Sequence, residues 1–274
     1  MAVTIADIQH LRKMTGAGMM DCKKALIEAD NDFDKAMEII RKKGQAVAAK
    51  RSDRDASEGC VIAKSTGKYA AMIALKCETD FVAKNVDFVK LTNDILDAAM
   101  AAKATDLDAV LALPFGNGTV ANAVTDRSGI TGEKMELDGY YFVEGGTASA
   151  YIHPGNKLAT LVALNQEGKE AQGHELGMQI AAMNPVSISP DDIPADVLAR
   201  EKEVAADKAR EEGKPENLIE NIVNGRMNKF YKEACLLNQE FVMNDAKQSV
   251  AKYLDDESKG LTVTAFQRFS LNAE

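Results

Sequence analysis

Three histidines, four cysteines and one acidic-aromatic stretch are the places where this sequence of 274 residues could do chemistry. His10, His153 and His174 lie far apart, and none has a cysteine or carboxylate at metal-ligand spacing, so no metal site is expected. Cys22, Cys60, Cys77 and Cys235 form no Cys-x-x-Cys pair and no dense framework, the pattern of free thiols in a reducing compartment. A phosphate loop, a nucleophile elbow and a dinucleotide fingerprint are all missing. Gly16-Ala17-Gly18 precedes a helix, as an anion-binding loop would, but it also follows a helix where such loops follow a strand. Neither a catalytic residue nor a cofactor is therefore expected. What is left is Leu75-Lys76-Cys77-Glu78-Thr79-Asp80-Phe81-Val82-Ala83-Lys84.

That stretch follows a strand-like run, Tyr69 to Lys76, and precedes Phe88 to Met100, whose apolar residues recur at helical spacing. It is a strand-to-helix corner. Thr79 can cap the helix start through its hydroxyl, and Asp80 falls in the first turn, where the peptide dipoles favour a negative charge. Phe81 has two open readings: a staple folded under its own domain, or a ring held outward for a partner's pocket.

The rest of the composition bears on who that partner would be. With 46% hydrophobic residues the chain can fill a core, and its length allows two or three packing units. A net charge of -9 provides no overall basic field for phosphate backbones, so direct nucleic-acid binding is not expected and a protein partner or small molecule is. The basic run Arg41-Lys42-Lys43, continuing to Lys50, Arg51 and Arg54, closes one helix and enters a linker as solvated charge. No basic-then-apolar leader opens the sequence and no apolar run approaches a membrane span, which points to a cytoplasmic protein that does not engage a membrane.

The elements that would position the corner are a mixture. Thr4 to Met14 carries Ile5, Ile8 and Leu11 at helical spacing with Thr4 as cap; a second helix runs Met19 to Ala29 and a third Phe33 to Lys43, ended by Gly44. Such a bundle has little core and suits an adaptor surface, on which the thioethers of Met19 and Met20 are either contacts or core. Ala46 to Ser57 reads as a linker. Then Cys60 to Ser65, a Thr66-Gly67 turn and Tyr69 to Cys77 form a hairpin covered by the helix Phe88 to Ala102. Thr147 to His153, Pro154-Gly155-Asn156, Lys157 to Asn165 and the helix Glu175 to Met183 repeat that order, with Tyr140 to Glu144 and a Gly145-Gly146 turn as an added strand. The repeat has Gln166-Glu167-Gly168-Lys169 at the corner and no aromatic. Ala195 to Glu212 and Glu216 to Leu237 make an antiparallel helical hairpin turned at Gly213-Lys214-Pro215. The expected fold is α+β: a three-helix bundle and linker (1–54), a duplicated hairpin-plus-helix core (55–139 and 140–189), an inserted helical hairpin (190–237) and a return to the core (238–274).

Leu11-Arg12-Lys13-Met14-Thr15-Gly16-Ala17-Gly18-Met19-Met20-Asp21-Cys22-Lys23-Lys24-Ala25-Leu26 resembles the N-terminal signature of the bacterial translation elongation factor Ts family. Glu78-Thr79-Asp80-Phe81-Val82-Ala83-Lys84 resembles its second signature, and Gly225-Arg226-Met227 and Phe241-Val242-Met243 match later landmarks in order. The likeness covers nearly the whole chain. It is loose from Pro114 to Glu136, has Lys76 where members often carry Asn, and stops at Glu274, where some members continue into a further helical module.

The resemblance implies a guanine-nucleotide exchange factor, not an enzyme, whose partner is the GTPase elongation factor Tu. It implies that Asp80 and Phe81, flanked by Thr79 and Val82, intrude near the GTPase's magnesium site. Arg12, Met19, Met20 and Lys23 would clamp its nucleotide domain, and His153, Phe241, Val242 and Met243 would add contacts. The helical hairpin serves dimerisation in some members, which allows a homodimer or a two-to-two complex. Two other classes stay open: a non-catalytic adaptor or scaffold, since the bundle also resembles ubiquitin-associated domains, and an enzyme with a site within Pro114 to Glu136.

Overall fold

The computed structural model describes residues 3–271; residues 1–2 and 272–274, at the outer ends of the expected bundle and C-terminal segment, lie outside the described residues. The chain is α+β and divides into two compact units, the first holding the sequence through Ile62 together with Ile73–Tyr140, the second Ala63–Met72 and Tyr141–Ser270.

In the first unit, α1 (Ile5–Thr15), α2 (Met19–Glu28) and α3 (Phe33–Lys50) form the three-helix bundle. Thr4 caps α1 in a reciprocal box: its hydroxyl accepts from the Asp7 N–H at 3.2 Å and its own N–H donates to the Asp7 carboxylate at 2.9 Å. Gly16 ends the helix at φ 70°, a left-handed conformation that glycine adopts without steric penalty. Ile8, Leu11, Cys22, Ala25, Leu26 and Ala36 fill the bundle core, whereas Ile5, expected on the same face, is 70% exposed.

Two expectations fail at Gly44. It does not end α3, which continues to Lys50, so the first part of the expected linker is helical. Gly44 is instead a contact point, because a Cβ built on Gly129 of α7 (Val120–Thr131) would lie 2.1 Å from the Gly44 Cα. Two helices pack this closely only where neither carries a side chain at the crossing.

The strands β1 (Glu58–Ser65), β2 (Gly67–Cys77), β5 (Glu136–Ile152), β6 (Leu158–Leu164) and β7 (Val263–Ser270) form one sheet in the order β1-β2-β5-β6-β7; β3 (Pro114–Phe115) and β4 (Gly118–Thr119) form a separate small hairpin. The expected Gly145-Gly146 turn does not exist, because β5 runs straight through it. A Cβ on Gly145 would meet the Leu164 carbonyl oxygen at 2.8 Å, and one on Gly146 the Gln166 carbonyl carbon at 2.7 Å. The glycines permit a close backbone approach, which a sequence cannot distinguish from a reversal.

After β2 come α4 (Asp80–Ala83), α5 (Val86–Ala102) and α6 (Leu107–Ala112). In the second unit, β5 and β6 pair antiparallel from Thr147↔Leu164 to Ile152↔Ala159, and β7 pairs antiparallel on the other side of β6. The helix α8 (Glu170–Met183) starts earlier than expected and lies on β6, its Gly177 carbonyl accepting from the Thr160 hydroxyl at 2.9 Å. The inserted hairpin is α9 (Ala195–Glu211) and α10 (Glu216–Ala234), turned at Gly213 with φ +71° and tied by Arg226 to the Ala205 carbonyl at 2.9 Å. A helix not expected from the sequence, α11 (Val250–Glu257), closes the core of this unit with Leu236, Phe241 and Leu261. Among the described residues, no helix is long and apolar enough to cross a membrane.

Candidate functional site: an exposed aromatic on a clamped corner

β2 reaches the corner through a buried run, with Ala70, Ala71, Met72, Ile73, Ala74 and Leu75 without exposed surface. Cys77 ends it. Its thiol donates to the Thr79 carbonyl at 3.2 Å, and burial pushes its pKa up to about 12, so it remains neutral and unreactive.

Thr79 then caps α4, its hydroxyl accepting from the Val82 N–H at 3.4 Å, and Asp80 occupies the first turn as the sequence predicts. This helix is a single turn that buries only Ala83. Asn85 caps the next helix, α5, by accepting from the N–H groups of Asp87 at 2.9 Å and Phe88 at 3.4 Å, while the Phe88 ring is sealed in the core. Between these two capped starts the Phe81 ring is 85% exposed, with Val86 nearly as bare. The ring is therefore not a staple folded under its own domain.

The charges at the corner are shared out. The Asp80 carboxylate pairs with Lys84 one turn on, at 2.7 Å, on the surface. Glu78 turns back, accepting from Arg51 at 3.1 Å, from Arg54 at 3.2 Å and from the Lys134 N–H at 2.7 Å. That N–H, followed by the two guanidinium groups, holds the Glu78 carboxyl below its ordinary range. Facing it, the Glu133 carboxylate accepts from the Glu78 and Thr79 N–H groups at 3.1 and 3.0 Å and from the Thr79 hydroxyl at 2.6 Å.

The other predicted residues divide between the two units. In the first unit Arg12, Met19, Met20 and Lys23 are all exposed, Met20 at 63%. Met19 and Met20 are therefore surface, and they are continued along α2 by Ile27, which is 59% exposed. Ile27 went unnoticed in the sequence, although it lies four residues after Lys23 and so on the same face of the helix.

In the second unit His153 is exposed and its Nδ1 lies 3.0 Å from the Tyr151 hydroxyl. Phe241 must be corrected: it is 1% exposed and stacks on Tyr253 with ring centroids 3.9 Å apart, so its ring is core and not a contact surface. Val242 beside it is exposed, and Met243 is partly buried against the same core. The segment is held by a buried amide that sequence reasoning missed, Gln179, whose side chain accepts from the Val242 N–H at 3.0 Å and donates to the Glu240 carbonyl at 3.1 Å.

The first unit also has a cleft of about 630 Å³ lined by residues of α1 to α3, α5 and α7. Its charged groups are largely spent on one another, Lys43 on Asp21 and Lys90 on Asp94. Among the described residues no group of histidines, cysteines and carboxylates could hold a metal ion.

The sequence model of the family described as Elongation factor TS matches residues 78–273, beginning at the first residue of the clamped corner. Elongation factor Ts of Porphyromonas gingivalis is 55% identical over 275 residues, and that of Phocaeicola vulgatus 51% identical over 331, each alignment covering 100% of both chains. That of Bacteroides thetaiotaomicron is 51% identical with the same coverage. On this likeness across its length, and with the corner motif in place, the chain belongs to the elongation factor Ts family and is a translation elongation factor.

Proposed function

We propose that this protein is a guanine-nucleotide exchange factor that promotes GDP release from the translational GTPase elongation factor Tu. It makes and breaks no covalent bond. A partner that binds the nucleotide-free GTPase more tightly than the loaded one weakens nucleotide binding by the same factor, so differential binding is a sufficient mechanism.

The observation that carries this reading is the Phe81 ring, 85% exposed on a turn whose start is fixed by Thr79 and Glu133. A large apolar side chain left in water is unfavourable to the isolated protein, and its exposure on a rigid mount favours a role in recognition. In this role Phe81 wedges into the GTPase near its magnesium site while the Asp80 carboxylate disturbs the groups around the metal. Because such a metal would help hold the nucleotide's phosphates and the switch segments, disturbing the groups around it would weaken nucleotide binding. Arg12, Met19, Met20 and Lys23 hold the nucleotide domain meanwhile, and His153, Val242 and Met243 contribute further contacts.

The test mixes elongation factor Tu, loaded with a fluorescent GDP, with this protein in catalytic amounts and excess unlabelled GDP. Multiple turnovers of accelerated release are expected. Binding without acceleration would instead favour a passive adaptor.

A further inference from the structure

The geometry points to Glu133 as a positioning residue for the Asp80–Phe81 turn, which it holds through a reciprocal exchange of carboxylates with Glu78. The inference rests on the exchange reading above for its consequence, but not for its geometry.

A helix of one turn cannot hold its own orientation, since nucleation is unfavourable and is not repaid over so few residues. α4 buries one small side chain, Ala83, so the direction in which Phe81 points must be set from outside. It is set at the residue before the helix. Thr79 is fixed at three of its atoms: its N–H and hydroxyl donate to Glu133 at 3.0 and 2.6 Å, and its carbonyl accepts from the Cys77 thiol at 3.2 Å. The Glu78 carboxylate returns the contact by accepting from the Lys134 N–H at 2.7 Å, so each segment donates backbone N–H groups to the other's side chain.

Glu133 can act as an anchor because it is itself anchored. It follows Gly132, which ends α7 at φ +74° with its N–H on the Ser128 carbonyl at 2.8 Å. The buried Ser128 hydroxyl donates to the Glu133 carbonyl at 2.5 Å, and the Glu133 N–H donates to the Thr131 hydroxyl at 3.3 Å. α7 is in turn seated on α3 at the Gly44–Gly129 crossing, and the end of α3 returns to Glu78 through Arg51. The wedge is thus mounted on a closed frame of α3, α7 and the corner. The Phe81 ring stands 85% exposed, and the frame bears on its turn through Thr79 and Glu78.

Glu133→Ala and Glu133→Gln, each made in the wild-type and in the Phe81→Ala background, test this by fluorescent-GDP release from elongation factor Tu. A misdirected wedge should lower the maximal exchange rate about tenfold in Glu133→Ala, displacements of the order of 1 Å being enough for such losses. The concentration giving half-maximal rate should stay within about twofold, because the Met19–Met20 surface is unchanged. Glu133→Gln should restore most of the rate, since its amide oxygen still accepts from both N–H groups. In the Phe81→Ala background, where only Asp80 is left on the turn to be misdirected, Glu133→Ala should cause a clearly smaller further loss. An equal loss in both backgrounds, or a wild-type rate in Glu133→Ala, would overturn the assignment. Amide hydrogen exchange of Glu78 and Thr79 decides the clamp without the GTPase: protection lost in Glu133→Ala supports it, and unchanged protection sinks it. If the unmodified protein released no GDP, the exchange reading alone would fall.

Discussion

The strand-to-helix corners that follow β2 and β6 are built from different chemistry. After β2, the first corner is held by carboxylates, Glu78 and Glu133, acting on backbone N–H groups and arginines, and it leaves an aromatic ring bare. After β6, the second is held by neutral amides. The Asn165 side chain donates to the Gly260 carbonyl at 2.8 Å and accepts from the Thr262 N–H at 2.9 Å; the Gln166 side chain donates to the Lys259 carbonyl at 3.1 Å and accepts from the Ser258 hydroxyl at 2.7 Å. Its helix, α8, follows an N-cap residue, Lys169, that makes no side-chain cap, after Gly168 turns the chain at φ +69°. The second corner spends its two amides on the chain segment leading into β7, and what it presents outward is polar, Glu167 paired with Lys68. One topology thus serves as a joint in one place and as a mount in the other, and the difference lies in whether an apolar side chain is left unpacked.

The contrast is sharpest between aromatics. Phe241, in the second unit, fills core, and Phe241→Ala should destabilise the protein by about 3–5 kcal/mol through lost burial and the cavity left behind. Chemical denaturation measures it; a loss under 1 kcal/mol would return that ring to the surface. Phe81→Ala should behave in the opposite way. Its melting should stay within about 0.5 kcal/mol of the parent, as for other exposed sites. Maximal GDP exchange should fall roughly 30-fold, the equivalent of about 2 kcal/mol at an interface anchor. A large loss of stability with unaltered exchange would make Phe81 a staple after all. Next comes the second corner itself: Asn165→Ala removes two hydrogen bonds and should cost about 1–2 kcal/mol of stability, with exchange unchanged. A fall in exchange with intact stability would show that the second corner is not merely a joint.

Much of this contrast is legible in the sequence, and for local reasons. The Thr4 cap, the Thr79 cap and the acidic first turn of α4 follow from hydroxyls and carboxylates placed within one turn of a helix start. What the sequence hides depends on distant partners. Gly44 and Gly145-Gly146 look like a stop and a turn because only their contacts, α7 and the end of β6, show that they are close approaches. Phe241, which the resemblance puts among the partner contacts, proves to be core once Tyr253 is found stacked on it. Glu133 is the clearest case. It is one acid among many, more than fifty residues from the corner it clamps, and no spacing rule joins it to Thr79.

Acid offers the gentlest way to separate the two corners, because one is held by a group that titrates and the other is not. The folded protein keeps the Glu78 carboxyl below its ordinary value of 4.5, chiefly through the Lys134 N–H and then through Arg51 and Arg54. An unfolded chain therefore takes up this proton at a higher pH than the folded one. The contribution of Glu78 to stability is fully present above about pH 4.5 and is lost as pH falls through the lower folded value. Asp7, Asp32, Glu38 and Asp106 are also held low, so the total acid sensitivity of the protein is not that of the corner. The difference between the parent and Glu78→Gln isolates it. Plotted against pH from 6 to 3, the stability gap between the two should be widest at pH 6 and close in acid. Residue by residue, the Lys134 amide, which donates to Glu78, should lose protection as pH falls, while the Thr262 amide, which donates to the non-titrating Asn165, should keep it. Equal loss at both amides would mean that acid acts on the whole fold, and the chemical distinction between carboxylate mount and amide joint would have no consequence in solution.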